Sequence, residues 1–248
     1  MIAKELETDD RQKIRIDFGK RLGIVGGLGA ETSAKFCLNM NNRFREITNF
    51  QPDITMENLP VSIELERSFI SDTNSTNHFM LLENAVKRLN KVNVDFIAIP
   101  CNTIHLFIDR LKNISKAPII NMIEEVAKEC NKIDLNKVGI LATSKTINEK
   151  LYERKLRKFG IELVIPDEDE QSELSMIILR ITNCSIMADD KGKILNIINN
   201  MKDKGAKAVI LGCTDLPILI NRTDSSVKLI DSLEVLENSA ITFLTQDN

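Results

Sequence analysis

Apolar and polar positions alternate in blocks along this chain, and the blocks carry two periods. Short apolar runs recur at 21–27 (RLGIVGG), 94–100 (VDFIAIP), 117–123 (APIINMI), 137–146 (KVGILATSKT), 161–166 (IELVIP), 206–212 (AKAVILG) and 227–232 (VKLIDS). Runs this short, rich in Ile and Val and bounded by Gly, Pro or small polar residues, predict buried strands. Between them the spacing is helical. Phe36, Met40 and Phe44 fall four apart, and Met80, Leu81, Ala85, Val86 and Leu89 form one apolar side of a helix over 77–90. Helices are also predicted at 103–111, 124–130, 191–204 and 233–244. Residues 55–63 form a further strand interrupted by Pro60, and 64–76 a polar loop or short helix. Gly160 closes one helix, and DEDEQSEL (167–174) caps the next.

Strands alternating with helices predict an α/β fold with parallel-rich sheets. The order also repeats. Gly23-Ile24-Val25-Gly26 and Val138-Gly139-Ile140-Leu141 each open a half in the order strand, helix, strand, helix, strand. Each half ends on a cysteine: Cys101 lies 78 positions after Gly23, and Cys213 lies 74 after Gly139. The repeat predicts two similar Rossmann-like domains related by a pseudo-twofold, with the active site in the cleft between them. The expected divisions are a polar extension over 1–20, a first domain from 21–118 plus 224–248, and a second from 119–223.

Composition narrows the partners. The chain has 248 residues, enough for two halves of about 100 each. The net charge is −3 and there is no basic block, with one Tyr and no Trp, so nucleic acid is not an expected partner. No apolar run reaches a membrane span of about 20 residues, and the charged first 20 residues lack the apolar core of a secretory signal. The five cysteines are odd in number and without a CxxC, which fits free thiols in a reducing cytoplasm and no zinc site. Cys37, Cys130 and Cys184 read as small packing residues.

Cys101 and Cys213 read differently, because each ends a buried strand in an equivalent place. Ligands of open α/β sheets bind outside the carboxyl ends of the strands. Two thiols placed there by a pseudo-dyad flank one ligand from opposite sides. Inverting a stereocentre needs a base on one face and an acid on the other, and a thiolate–thiol pair supplies both. Asn102, Thr103 and Thr214 follow the thiols and can hold a carboxylate. His105, four residues after Cys101, is an equal candidate for tuning the thiol or for packing. Asp215 is either a turn residue or a carboxylate that aids proton flow. His78 has no expected role. GIVGGLGAET lacks the GxGxxG spacing of a dinucleotide site.

GIVGGLGAETSA, PCNTIH, ILATSKTI, PDEDEQ, LGCTDLP and LIDS, in this order, resemble the aspartate/glutamate racemase superfamily, most closely its aspartate racemase branch. The resemblance implies a metal-free, pyridoxal-independent amino-acid racemase, usually a homodimer, with Cys101 and Cys213 as its two acid–base groups and a small amino acid as its partner. It places substrate contacts on the glycine-rich turn Gly27, Leu28 and Gly29, on Asn102 and Thr103, and on Thr143 with Ser144 and Thr146. Arg67 falls where an arginine clamps the side-chain carboxylate, and Asn183 where a lysine is often found. Asp215 argues against a dedicated glutamate racemase. Aspartate is therefore the first expected substrate and glutamate the second. The rival readings are an isomerase or lyase of the same superfamily acting on another dicarboxylate, which needs one thiol, and a non-catalytic small-acid binder, which needs neither.

Overall fold

The computed structural model describes residues 19–70 and 76–246; the expected extension over 1–20 falls almost wholly outside them. The first half runs β1 (Arg21–Gly26), α1 (Ala30–Thr48), β2 (Asp53–Asn58), α2 (Ile63–Ile70), α3 (Thr76–Lys91) and β3 (Phe96–Ala98). A 3-10 turn over Thr103–Phe107 then leads into α4 (Ile108–Lys112) and α5 (Met122–Lys132). The second half runs β4 (Lys137–Leu141), α6 (Ser144–Asn148), α7 (Leu151–Leu156), β5 (Glu162–Val164), α8 (Glu168–Thr182) and α9 (Asp190–Asp203). It ends with β6 (Ala208–Leu211), β7 (Lys228–Asp231) and α10 (Ser232–Thr245).

The strands form two parallel sheets, ordered β2-β1-β3 and β5-β4-β6-β7. In each, the strand that opens the half lies between the second and third. The fourth position is β7 in the second sheet. In the first, the expected strand over 117–123 is reduced to a single bridge, Ile97 with Ile119. The chain turns there, because the Asn121 side chain caps α5 by accepting the Glu124 amide at 3.2 Å. Asp231 caps α10 in the same way after β7.

These two closing helices exchange places. The apolar face of α5 (Ile123, Val126, Ala127, Cys130) packs with Val138, Ile140, Ala208 and Ile210 of the second sheet. Leu233, Leu236, Ala240 and Ile241 of α10 pack with Leu22, Ile24, Phe96 and Ala98 of the first. Burying each Leu, Ile, Val or Phe among them contributes about 1.5–3 kcal/mol, so the exchange ties the halves together. The segment 224–248 is expected with the first half; its described part, 224–246, spans both, since β7 pairs with β6 and α10 covers the first sheet.

Local chemistry accounts for most element ends. Asp167 and Glu170 form a reciprocal capping box at α8, as the acidic run predicts. Gly160 takes φ 70° after α7 and its terminal turn. On α3 the buried side is Leu82, Ala85, Val86 and Leu89; Met80, expected in that face, is exposed, because Leu82 sits in register with 85, 86 and 89. Buried His78 extends this face, its Nε2 against the Leu65 carbonyl at 3.0 Å. Among the described residues no helix is long and apolar enough to cross a membrane.

Candidate active site

Both thiols stand just beyond the carboxyl ends of equivalent strands, Cys101 after β3 and Cys213 after β6. The strands end because the chain turns into short 3-10 segments at Thr103–Phe107 and Leu216–Ile218. The halves meet at these turns, where the Thr214 hydroxyl donates to the Pro100 carbonyl at 3.2 Å. The two cysteines are close enough for charge on one to disfavour charge on the other.

Their surroundings favour the thiol form of both. Burial pushes Cys101 up to about 12, against the backbone N–H groups of Ile104 and Thr103, with Asp215 and Glu66 adding to the rise. Burial also pushes Cys213 well up, followed by the carboxylate of Asp215. The Cys213 thiol donates to Asp215 Oδ2 at 3.9 Å, and Thr32 donates to Asp215 Oδ1 at 2.5 Å. Asp215 itself is raised by burial, with the Thr32 hydroxyl pulling the other way.

The side chains expected around the thiols fall into distinct groups. Thr103 meets Thr143 and Thr146 across the interface, with hydroxyl separations of 3.0 and 3.1 Å. Thr143 also caps α6, accepting the Thr146 amide at 3.2 Å. The Asn102 side chain is buried and committed. Its amide donates to Ser232 Oγ at 2.9 Å, and its oxygen accepts from Tyr152 at 2.6 Å. Ser232 in turn donates to the Leu211 carbonyl at 2.7 Å. Asn102 thus fixes the first thiol's turn to the strand that delivers the second.

His105 is equally committed. Its Nε2 accepts the Met122 amide at 3.1 Å, so Nδ1 carries the proton and donates to the Cys101 carbonyl at 2.8 Å. Burial lowers its pKa to about 4. Both ring nitrogens face backbone, one of them the carbonyl of Cys101 itself.

The glycine-rich turn closes one side. Gly27 has φ 90°, and a Cβ there would stand 2.5 Å from the Leu59 carbonyl oxygen. Gly29 has φ 77°, and a Cβ there would stand 3.0 Å from Asp215 Oδ1, so only glycine lets the turn approach this carboxylate freely. Leu28 is buried in the first half's core. Helix α2 crosses to the second half against α6 and α8, and Arg67 on it donates to Asn183 Oδ1 at 3.4 Å. The structure brings these two sequence-selected positions together.

Three site residues escaped the sequence reading. Glu66 accepts the Gly29 amide at 3.2 Å; burial raises its pKa, the amide opposes this, and Asp215 adds to the rise. Its signal was its place beside Arg67 in the polar 64–76 stretch. Thr32 lay within the glycine-rich motif. Tyr152, the chain's only tyrosine, had no nearby motif.

Two parallel sheets that meet at the turns after β3 and β6, each turn carrying a thiol, define the class of this α/β protein. The family model described as Asp/Glu/Hydantoin racemase matches residues 25–240. The chain belongs to this family. It is 25% identical over 223 residues to the broad specificity amino-acid racemase RacX of Bacillus subtilis, covering 89% of this chain and 96% of that one. The solved aspartate racemase of Picrophilus torridus is 27% identical with a TM-score of 0.74, covering 90% of this chain and 93% of that one. A crystal structure from Yersinia pestis titled a putative Asp/Glu racemase shares the fold at TM-score 0.80 and 22% identity, covering 92% of this chain and all of that one.

Proposed function

We propose that this protein is a cofactor-independent amino-acid racemase in which Cys101 and Cys213 exchange roles as base and acid. The observation that carries this reading is the pair of thiols at equivalent strand ends, near enough to sense each other's charge. A lyase needs one such group and a binder neither.

In one direction the Cys101 thiolate removes the α-proton and becomes a thiol. The Cys213 thiol delivers its proton to the opposite face and becomes a thiolate. The reverse substrate uses the pair the other way, and the proton count balances over each turnover. The backbone N–H groups of Thr103 and Ile104 favour thiolate on Cys101, and that of Asp215 favours it on Cys213. Each turnover leaves the pair in the opposite protonation state, and Asp215 is the group placed to return a proton to Cys213 after this direction and to take one after the reverse. The Thr103–Thr143–Thr146 hydroxyl cluster and Thr214 suit an α-carboxylate, whose charge grows as the α-proton leaves. With its side chain engaged elsewhere, Asn102 serves by holding the turn. Aspartate, the first substrate implied by the resemblance, has Arg67 in its favour as a bidentate carboxylate partner. A homodimer belongs to the same reading, and sedimentation equilibrium measures it.

The test is incubation with a panel of L-amino acids in deuterated water, followed by NMR of the α-proton and chiral chromatography. Exchange with appearance of the D-enantiomer is expected. No racemisation across acidic, neutral and basic amino acids would end this reading.

A further inference from the structure

Of the motifs that carry the resemblance, LIDS (229–232) has no part in the proton transfer itself. Its Asp231 caps α10, and its Ser232 stands where the chain leaves β7 of the second sheet for the helix that covers the first. Ser232 is fully buried, and the sense of its hydrogen bonds is fixed by chemistry. The Leu211 carbonyl can only accept, so the Ser232 hydroxyl donates to it at 2.7 Å. The Ser232 oxygen is left to accept, and takes the Asn102 amide at 2.9 Å. That turns the Asn102 oxygen toward the Tyr152 hydroxyl, which donates to it at 2.6 Å.

This buried chain reaches both thiol-bearing turns. Asn102 follows Cys101 directly, and Leu211 ends β6 two residues before Cys213. Tyr152 anchors the far end from α7, in the core of the second half. Apolar packing between the halves resists separation but is non-directional. Hydrogen bonds are directional, and three in series set the turn after β3 against the end of β6.

We infer that Ser232 is a positioning residue: taking the racemase reading above, the chain from Tyr152 through Asn102 and Ser232 to Leu211 holds the two thiols in register on one α-carbon. The other hydroxyls between these turns, on Thr103, Thr143, Thr146 and Thr214, are the groups proposed to meet a carboxylate. They exchange partners when it binds, whereas the Ser232 chain keeps its own. With the chain cut, the first thiolate still removes the α-proton, but the second thiol stands off the line of delivery. The carbanion then returns more often to the thiol that made it, and exchange outruns inversion.

The full-length protein is incubated in deuterated water with L-aspartate, L-alanine or L-lysine. At low conversion, chiral chromatography reads the D-enantiomer formed, and NMR reads α-deuterium in the recovered L-enantiomer. Ser232→Ala is expected to lower inversion by about tenfold and to raise the ratio of deuterated L-enantiomer to D-enantiomer. Tyr152→Phe cuts the other end and shifts the ratio the same way, which keeps the test decisive should Ser232→Ala not fold. Ile241→Val, on the same helix but packed in the first half's core, loosens α10 without touching the chain, and its ratio is expected to stay at the wild-type value. An unchanged ratio in either chain variant that folds overturns the inference and leaves racemisation intact, as does an equal shift in Ile241→Val. Absence of inversion by the wild-type protein with all three amino acids overturns the racemase reading, and this inference with it.

Discussion

The two strand ends occupy equivalent places but carry different chemistry. After β3, the residues beside Cys101 are tied inward: Asn102 to Tyr152 and Ser232, and His105 to two backbone groups. After β6, Cys213 has a carboxylate within 3.9 Å, and that carboxylate is held by a hydroxyl from the other half. The first end is a braced turn whose thiol depends on backbone N–H groups; the second has a side chain able to pass a proton. A pseudo-symmetric scaffold thus sets where the two thiols stand, while their neighbours give the two ends unequal surroundings.

The largest effect expected falls on what the ends share. Cys101→Ser and Cys213→Ser should each lower racemisation by about 10³-fold, since each removes one of two proton transfers. A single variant with full activity breaks the two-thiol reading. Next comes pH. Burial raises both thiols, so one must be deprotonated against its environment, and kcat/KM should climb by up to about tenfold per pH unit between 7 and 9. A profile falling over that range contradicts thiolate chemistry.

His105 sharpens the contrast through stability. Its pKa is lowered from 6.5 to about 4 in the folded protein, so the unfolded chain binds the extra proton first. Stability is full above about pH 6.5 and is lost as pH falls toward about 4, by about 3 kcal/mol from this residue. Denaturant unfolding at pH 7 and pH 5 measures it, and His105→Asn should flatten the difference. Asp215→Asn should slow α-proton exchange by about tenfold, more for the enantiomer whose proton Cys213 removes. Equal losses for both enantiomers would remove the asymmetry between the ends. The smallest effect belongs to the brace: Tyr152→Phe should cost about 1–2 kcal/mol in denaturant melts by leaving Asn102 Oδ1 short of a donor.

Much of this was legible in sequence where the signal is local. Seven short apolar runs with punctuation marked out most strands, and the capping residues at 167 and 170 marked α8. The run at 117–123 misled because Asn121 begins a helix cap inside it, leaving one bridging residue where a strand was expected. Met80 misled because a helix face is set by what packs on it, and Leu82 took the inward place. Glu66 carried no motif. Its meaning comes from a glycine 37 positions earlier and an aspartate in the other half.

By itself the sequence determined the α/β class, the internal repeat and the two thiols at matching strand ends, because strand period, turn residues and spacing are written along the chain. The tertiary structure alone decided that α5 and α10 trade sheets, that His105 spends both nitrogens on backbone, and that Glu66 and Asp215 stand near the strand-end cysteines. Those outcomes depend on contacts between residues far apart in the chain, where burial and neighbouring charge, rather than residue type, set each group's chemistry.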